Sequence, residues 1–86
     1  MTVKICILNF VSWVWIDTFF DFPLDQEIVD KLNQTNIKKC FTSPDLLGRK
    51  YDIENYAYQI KNLGINLDAI CCKKENIKLW KDILLN

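Results

Sequence analysis

The chain has 86 residues, half of them hydrophobic and about a quarter charged, a composition that excludes a disordered chain and is typical of a folded domain. This length predicts a single domain over residues 1–86. Eleven basic and eleven acidic residues leave no net charge, so neither nucleic acid nor an anionic membrane surface is predicted as a partner.

The N-terminal run Val3–Phe22 is rich in β-branched and aromatic residues, which predicts one or two strands rather than a helix. Pro23 ends the run, because proline cannot donate a hydrogen bond to a sheet. Polar residues interrupt the run at five positions: Lys4, Asn9, Ser12, Asp17 and Asp21. No uninterrupted apolar stretch is therefore long enough for a membrane span, and no small-residue cleavage site follows, so a cytoplasmic protein without membrane attachment is predicted.

Two helices and a strand are predicted in the middle of the chain. Asp25 is placed to cap a helix over Gln26–Gln34, and Ile37–Phe41 is a short strand. The next helix begins after its predicted cap, Asp52, and ends at Gly64, which supplies the left-handed residue that commonly closes a helix.

The C-terminal part of the chain admits two interpretations. One is a strand over Leu67–Cys72 followed by a helix whose apolar stripe contains Trp80. The other is one long helix over Asp68–Leu85, which would place Lys73 and Lys74 in its apolar stripe. We favour strand then helix. The predicted fold class is then α/β, with three βα units (β-α-β-α-β-α) and a small, mostly parallel sheet, since right-handed crossovers join parallel strands.

The four cysteines, Cys6, Cys40, Cys71 and Cys72, each lie in an apolar run, as reduced core cysteines do. The adjacent pair lacks the spacing that wraps an ion, and the chain has no histidine. No metal site and no cofactor are therefore predicted, and a reducing compartment is indicated.

Three segments carry a resemblance to a known family: Val14–Asp17, Cys40–Arg49 and Asp68–Lys73. They resemble the last three strand-to-loop junctions of bacterial proteins similar to glycerophosphodiester phosphodiesterases, in which a tryptophan-aspartate strand end precedes a serine-proline-acid-leucine-x-glycine-arginine loop. The similarity spans residues 13 to 82.

The resemblance implies that this chain supplies the C-terminal portion of a (β/α)8 barrel. The family's catalysis uses paired histidines and a carboxylate-held metal in the first half of the barrel, and none of those motifs matches this sequence. The chain has no histidine, so no residue can take the acid/base role of imidazole, and no catalytic residue is predicted for the isolated chain. The chain is then a catalytically empty half-barrel, a shortened relative, or one piece of a larger assembly.

Ligands of parallel α/β sheets bind outside the carboxyl ends of the strands. The ligand-binding residues predicted there, for a phosphate ester, are Asp17, Ser43, Asp45, Arg49 and Lys73. The competing interpretation is structural: Asp21 and Asp45 are solvated loop acids, Ser43 caps a turn that begins at Pro44, and Arg49 pairs with a nearby carboxylate.

Two functions are accordingly predicted. The first is a noncatalytic or degenerate phosphodiesterase-like domain that binds a phosphate ester at the strand ends. The alternative is a small protein-interaction module, such as an inhibitor or immunity-like partner. Because three parallel strands leave open edges and a core too small to cover both sheet faces, we expect a homodimer or a tight complex with another protein chain, with Trp13 or Trp15 near the contact.

Overall fold

A computed structural model describes residues 3–8 and 11–85, with side chains from residue 13 onward. Four strands and three helices make up the described chain: β1 (Val3–Leu8), β2 (Val11–Ile16), α1 (Gln26–Asn33), β3 (Lys38–Thr42), α2 (Ile53–Leu63), β4 (Ala69–Cys71) and α3 (Ile77–Leu84). Short 3-10 turns precede α2 and α3.

The strands form one sheet in the order β1-β2-β3-β4. β2, β3 and β4 run parallel, and β1 pairs antiparallel with β2. The predicted α/β class, with three parallel strands and three helices, is therefore confirmed. The N-terminal run contains two strands, and the antiparallel hairpin that it forms is an addition to the three predicted βα units.

The helix ends follow from local sequence in two of three cases. The Asp25 carboxylate accepts a hydrogen bond from the Ile28 amide at 2.9 Å, which satisfies an otherwise unpaired N–H in the first turn of α1. Gly64 closes α2 in the left-handed region with a φ of 71°. Asp52 occupies the predicted cap position of α2, but its side chain makes no capping bond and pairs with Arg49 instead.

The C-terminal part of the chain is a strand followed by a helix, as favoured, and the long-helix alternative is wrong. β4 is shorter than predicted: it spans Ala69–Cys71 rather than Leu67–Cys72. A 3-10 turn over Lys74–Asn76 then leads into α3. The two lysines lie in this connection rather than on the buried stripe of a helix, so they remain in solvent.

The two faces of the sheet differ in what covers them. Val14, Ile16 and Phe41 lie on one face, and they share a single buried core with apolar side chains of all three helices. Phe41 is fully buried, with its ring near those of Tyr56 and Trp80. We call the other side of the sheet, which carries Trp13, Trp15, Cys40, Ala69 and Cys71, the open face. Among the described residues, no side chain of the open face belongs to that core.

Candidate functional site

The loops at the carboxyl ends of β2, β3 and β4 meet in one place and are hydrogen-bonded to one another. The Thr18 hydroxyl donates to the Thr42 carbonyl at 2.9 Å, which ties the loop after β2 to the end of β3. The Ser43 amide donates to the Cys71 carbonyl at 2.9 Å, which ties β3 to β4. Parallel strands bring these ends together, so residues far apart in sequence become neighbours.

A buried polar cluster lies at the centre of these loops and consists of Ser43, Asp45, Asn76 and Trp80. The Trp80 indole N–H donates to the Ser43 hydroxyl oxygen at 2.9 Å. The Asp45 carboxylate accepts hydrogen bonds from the Asn76 side-chain amide and, at 3.0 Å, from the Lys73 backbone amide. Asp45 is only 2% exposed. Its Oδ2 oxygen therefore joins the β3 loop to the β4 loop from inside the protein. We call these four residues the junction.

Asp45 is held in its charged form by its hydrogen bonds. Burial alone would raise the pKa of this carboxyl, but hydrogen bonding by Ser43, Asn76 and the Lys73 amide outweighs burial and lowers the pKa below the ordinary value. The other carboxylate oxygen of Asp45, Oδ1, is buried and accepts no well-formed hydrogen bond. The Ser43 side chain nevertheless lies near the carboxylate and helps to lower the pKa of Asp45. The Asp45 carboxylate therefore stabilises the packing of the loop after β3 against the loop after β4.

Arg49 clamps the loop after β2 to the start of α2. Its guanidinium donates to the Thr18 carbonyl, to the Tyr56 hydroxyl at 3.1 Å and to the Asp52 carboxylate at 3.2 Å. The side chain is 19% exposed. Gly48, with a φ of 79°, ends the 3-10 turn that contains Asp45 just before Arg49.

The structure thus separates the five predicted ligand-binding residues into two groups. Ser43, Asp45 and Arg49 are used in bonds within the chain. Asp17 is half-buried, and Lys73 is exposed. Lys73 contributes its backbone amide to the junction, and it is the most exposed of the five predicted residues.

Ser43 does not cap the turn that follows it. Pro44 begins a 3-10 turn as predicted, with Ser43 at the N-cap position, but the Ser43 side chain makes no capping hydrogen bond. Its hydroxyl oxygen is directed to the Trp80 indole instead. The cap predicted for Ser43 is therefore wrong, because the hydroxyl accepts from Trp80 of α3 rather than from an amide of the turn.

Two residues of the junction, Asn76 and Trp80, make polar contacts that the sequence did not predict. Trp80 stood out only as an apolar member of the last helix. Asn76 immediately precedes α3, a position that suggests a helix cap, yet it makes no capping bond and donates to Asp45. No signal in the neighbouring sequence marks these contacts, because the burial of Asp45, and with it the need for donors, is visible only in the fold.

The open face carries both tryptophans predicted near a protein contact. Trp15 is 38% exposed, and the Lys38 ammonium lies 5.6 Å from the centre of the Trp13 ring, within range of a cation–π interaction. Cys40 is buried on this face between its register partners, Trp15 and Ala69. The surface is thus apolar with a cation at its margin.

Cys40, Cys71 and Cys72 have free thiols, and Cys6 lies outside the residues whose side chains are described. Burial raises the pKa of the Cys40 thiol, and the neighbouring Cys71 raises it further. Across residues 13–85, no three His, Cys, Asp or Glu side chains are grouped so that they could hold a metal ion.

Comparisons with known proteins identify no relative: no protein-family model, no curated protein and no solved structure matches this chain. Within the described residues, no helix has the length and apolar character needed to cross a membrane.

Proposed function

We propose that this chain is a protein-interaction module that uses the open face to bind another protein. The supporting observation is the one-sided helix layer: the helices cover Val14, Ile16 and Phe41, while Trp15 on the opposite side is 38% exposed. Large aromatic side chains in an exposed patch are typical of protein contacts, because they bury a large apolar area when a partner covers them.

The chemistry of the open face specifies the partner. Trp13, Trp15 and Ala69 call for an apolar surface, and the exposed Lys38 at the margin calls for a carboxylate on the partner beside it. Such a contact has an apolar centre and a charged rim, as specific protein interfaces do.

The experiment compares three purified chains: the parent, Trp15→Gln and Tyr58→Gln. Tyr58 is an exposed aromatic residue of α2, on the helix side of the molecule, so it is the matched control. A protein captured by the parent from the source cell is purified, and its affinity is measured by calorimetry. We expect Trp15→Gln to weaken binding by about tenfold or more, as for a central aromatic contact, and Tyr58→Gln to leave it unchanged. Equal affinities for all three chains would contradict the proposal.

A second proposal concerns the architecture: the chain is a noncatalytic, phosphodiesterase-like portion of a (β/α)8 barrel. The supporting observation is that β2, β3 and β4 are adjacent in chain order, parallel, and covered by helices on one face, which is the arrangement of a barrel wall. On this proposal a phosphate ester would meet Lys73 and Asp17 at the strand ends.

Two assays test the second proposal. Phosphodiesterase activity is expected to be absent with and without divalent metal, and turnover that is lost on substitution of Asp17 would contradict this. Glycerol phosphate is expected to raise the melting temperature of the parent, and Lys73→Ala is expected to abolish the rise. A rise that persists in Lys73→Ala, or no rise in the parent, would exclude the phosphate-ester role of Lys73.

A further inference from the structure

An elongated groove runs along α3, beside β4 and the end of α2. Its first segment lies between β4 and α3 and has a volume of about 390 Å³. A second segment, of about 310 Å³, lies beside the end of α2. Leu67 and Leu84 line both segments, so the two segments adjoin and form one continuous surface. We call this surface the α3 groove.

The lining of the α3 groove is mostly aliphatic. The apolar side chains of the first segment include Leu67, Ile70, Ile77, Trp80 and Leu84. Ile77 is 41% exposed, so a molecule that covers it removes apolar surface from water. Ligand sites in proteins typically have volumes of about 300–1,000 Å³ and apolar walls with a few polar groups that orient the ligand. The size and lining of the groove therefore suit a flexible alkyl chain.

The two charged residues of the first segment differ in what they bind within the chain. The Asp68 carboxylate accepts a hydrogen bond from the Lys39 amide at 2.8 Å, which ties it to β3. Lys81 is exposed, and no carboxylate among the described residues pairs with its ammonium group. Lys78 of the same helix differs from Lys81, because Lys78 pairs with Asp82 at 2.8 Å. Lys81 is therefore the charged group of the lining that is available to an anion.

We propose that the α3 groove binds an amphiphilic monocarboxylate, whose alkyl chain lies on the aliphatic lining and whose carboxylate pairs with Lys81. The second segment adds Lys61 and no acidic residue, so the whole lining has two lysines and one aspartate. This excess of positive charge favours a carboxylate head group over an ammonium head group. A lysine also suits this position because its long stem can lie on apolar surface while its charge stays in water at the rim.

Calorimetric titration of the purified chain tests the proposal with octanoate, its uncharged counterpart octan-1-ol, and the longer decanoate. We expect the parent to bind a single octanoate, and to bind decanoate at least about fivefold more tightly because the groove covers two further methylene groups. Lys81→Gln should weaken octanoate binding by about three- to fivefold, as for an exposed ion pair, and leave octan-1-ol binding unchanged. Lys78→Gln removes the same charge from the same helix outside the lining, so this matched control should bind octanoate as the parent does.

Ile77→Gln tests the apolar part of the groove. It should weaken octanoate and octan-1-ol alike, because both alkyl chains lose the same apolar contact. Retained binding of octan-1-ol by Lys81→Gln shows that this variant folds and keeps the groove. Trp15→Gln should bind octanoate normally, since Trp15 does not line the groove, so this proposal and that for the open face can fail independently.

Three results would each overturn the proposal. The first is a parent chain that binds no octanoate at millimolar concentration. The second is a Lys81→Gln variant that binds octanoate as tightly as the parent. The third is a Lys81→Gln variant that loses octan-1-ol together with octanoate, because Lys81 would then maintain the groove rather than pair with the carboxylate.

Discussion

The junction and the open face lie on the same sheet but have opposite chemistry. In the junction, polar groups are buried and directed towards one another, whereas on the open face an aromatic side chain is left in water. This comparison shows that a cluster of acidic, basic and hydroxyl residues at strand ends is insufficient evidence for a ligand site. The groups must also be free to bind a ligand, and here Ser43, Asp45 and Arg49 are bonded within the chain while Trp15 remains 38% exposed.

The comparison predicts that substitutions in the junction reduce the free energy of unfolding, while substitutions on the open face reduce binding. The largest expected effect is that of Asp45→Ala. This change leaves the Asn76 side-chain amide and the Lys73 backbone amide without their acceptor inside the protein, so a loss of about 3 kcal/mol is expected.

Urea denaturation measures this loss, and Glu54→Ala is the control, since Glu54 is an exposed acid on α2. The control should lie within about 0.5 kcal/mol of the parent, as substitutions at exposed positions usually do. An Asp45→Ala protein as stable as the control would show that the junction does not hold the loops together.

The same carboxylate predicts a loss of stability in acid. Its pKa is lowered in the folded protein, so the folded state binds its proton less readily than the unfolded chain does. The stabilisation is therefore fully present above the ordinary aspartate pKa of 3.8 and is lost as the pH falls through the lower folded value. Denaturation curves of the parent and Asp45→Asn should converge across this range. A constant difference between them at every pH would contradict the assignment.

The next expected effect is that of Ser43→Ala, which leaves the buried Trp80 indole N–H without an acceptor. A loss of about 1–3 kcal/mol is expected, the range for an unsatisfied buried donor. Trp80→Phe removes the donor while keeping an aromatic ring, so the double variant should lose less than the sum of the single losses. Strict additivity in this double-mutant cycle would mean that the two side chains do not interact.

The smallest of these losses is expected for Arg49→Ala, at about 1–2 kcal/mol, because partly exposed hydrogen bonds contribute less than buried ones. Arg49→Lys should recover only part of the loss, since one ammonium cannot reproduce the guanidinium bonds to Thr18, Asp52 and Tyr56 together. Thermal denaturation of both variants provides the measurement. If Arg49→Lys were as stable as the parent, the stabilisation by Arg49 would come from its positive charge alone and not from the geometry of the guanidinium.

Local sequence was sufficient to predict the three helices and the alternation of parallel strands with helices along the chain. Asp25 and Gly64 act on groups within the same helical turn, so their roles are visible in a few adjacent letters. The separation of β4 from α3 was also accessible, because lysines are disfavoured on a buried stripe.

The hydrogen-bond partners within the junction could not be predicted in this way. Trp80 is 37 positions from Ser43, and Asn76 is 31 positions from Asp45, so nothing in the neighbourhood of either partner identifies the other. Lys39 is a further example: it shares the helix-side face with Val14 and is only 4% exposed, with its ammonium bonded to the Ile37 carbonyl. Lysine side chains are rarely buried, so only the packing reveals the burial of Lys39.

The long sequence separation within the junction has a consequence for folding kinetics. Ser43 and Trp80 belong to different βα units, so their bond can form only after β3, β4 and α3 have docked. Contacts that close such long loops bear a large entropic cost early in folding and are commonly made late. The junction then forms after the folding transition state and is not part of the folding nucleus. Weakening it should accelerate unfolding while leaving the refolding rate almost unchanged.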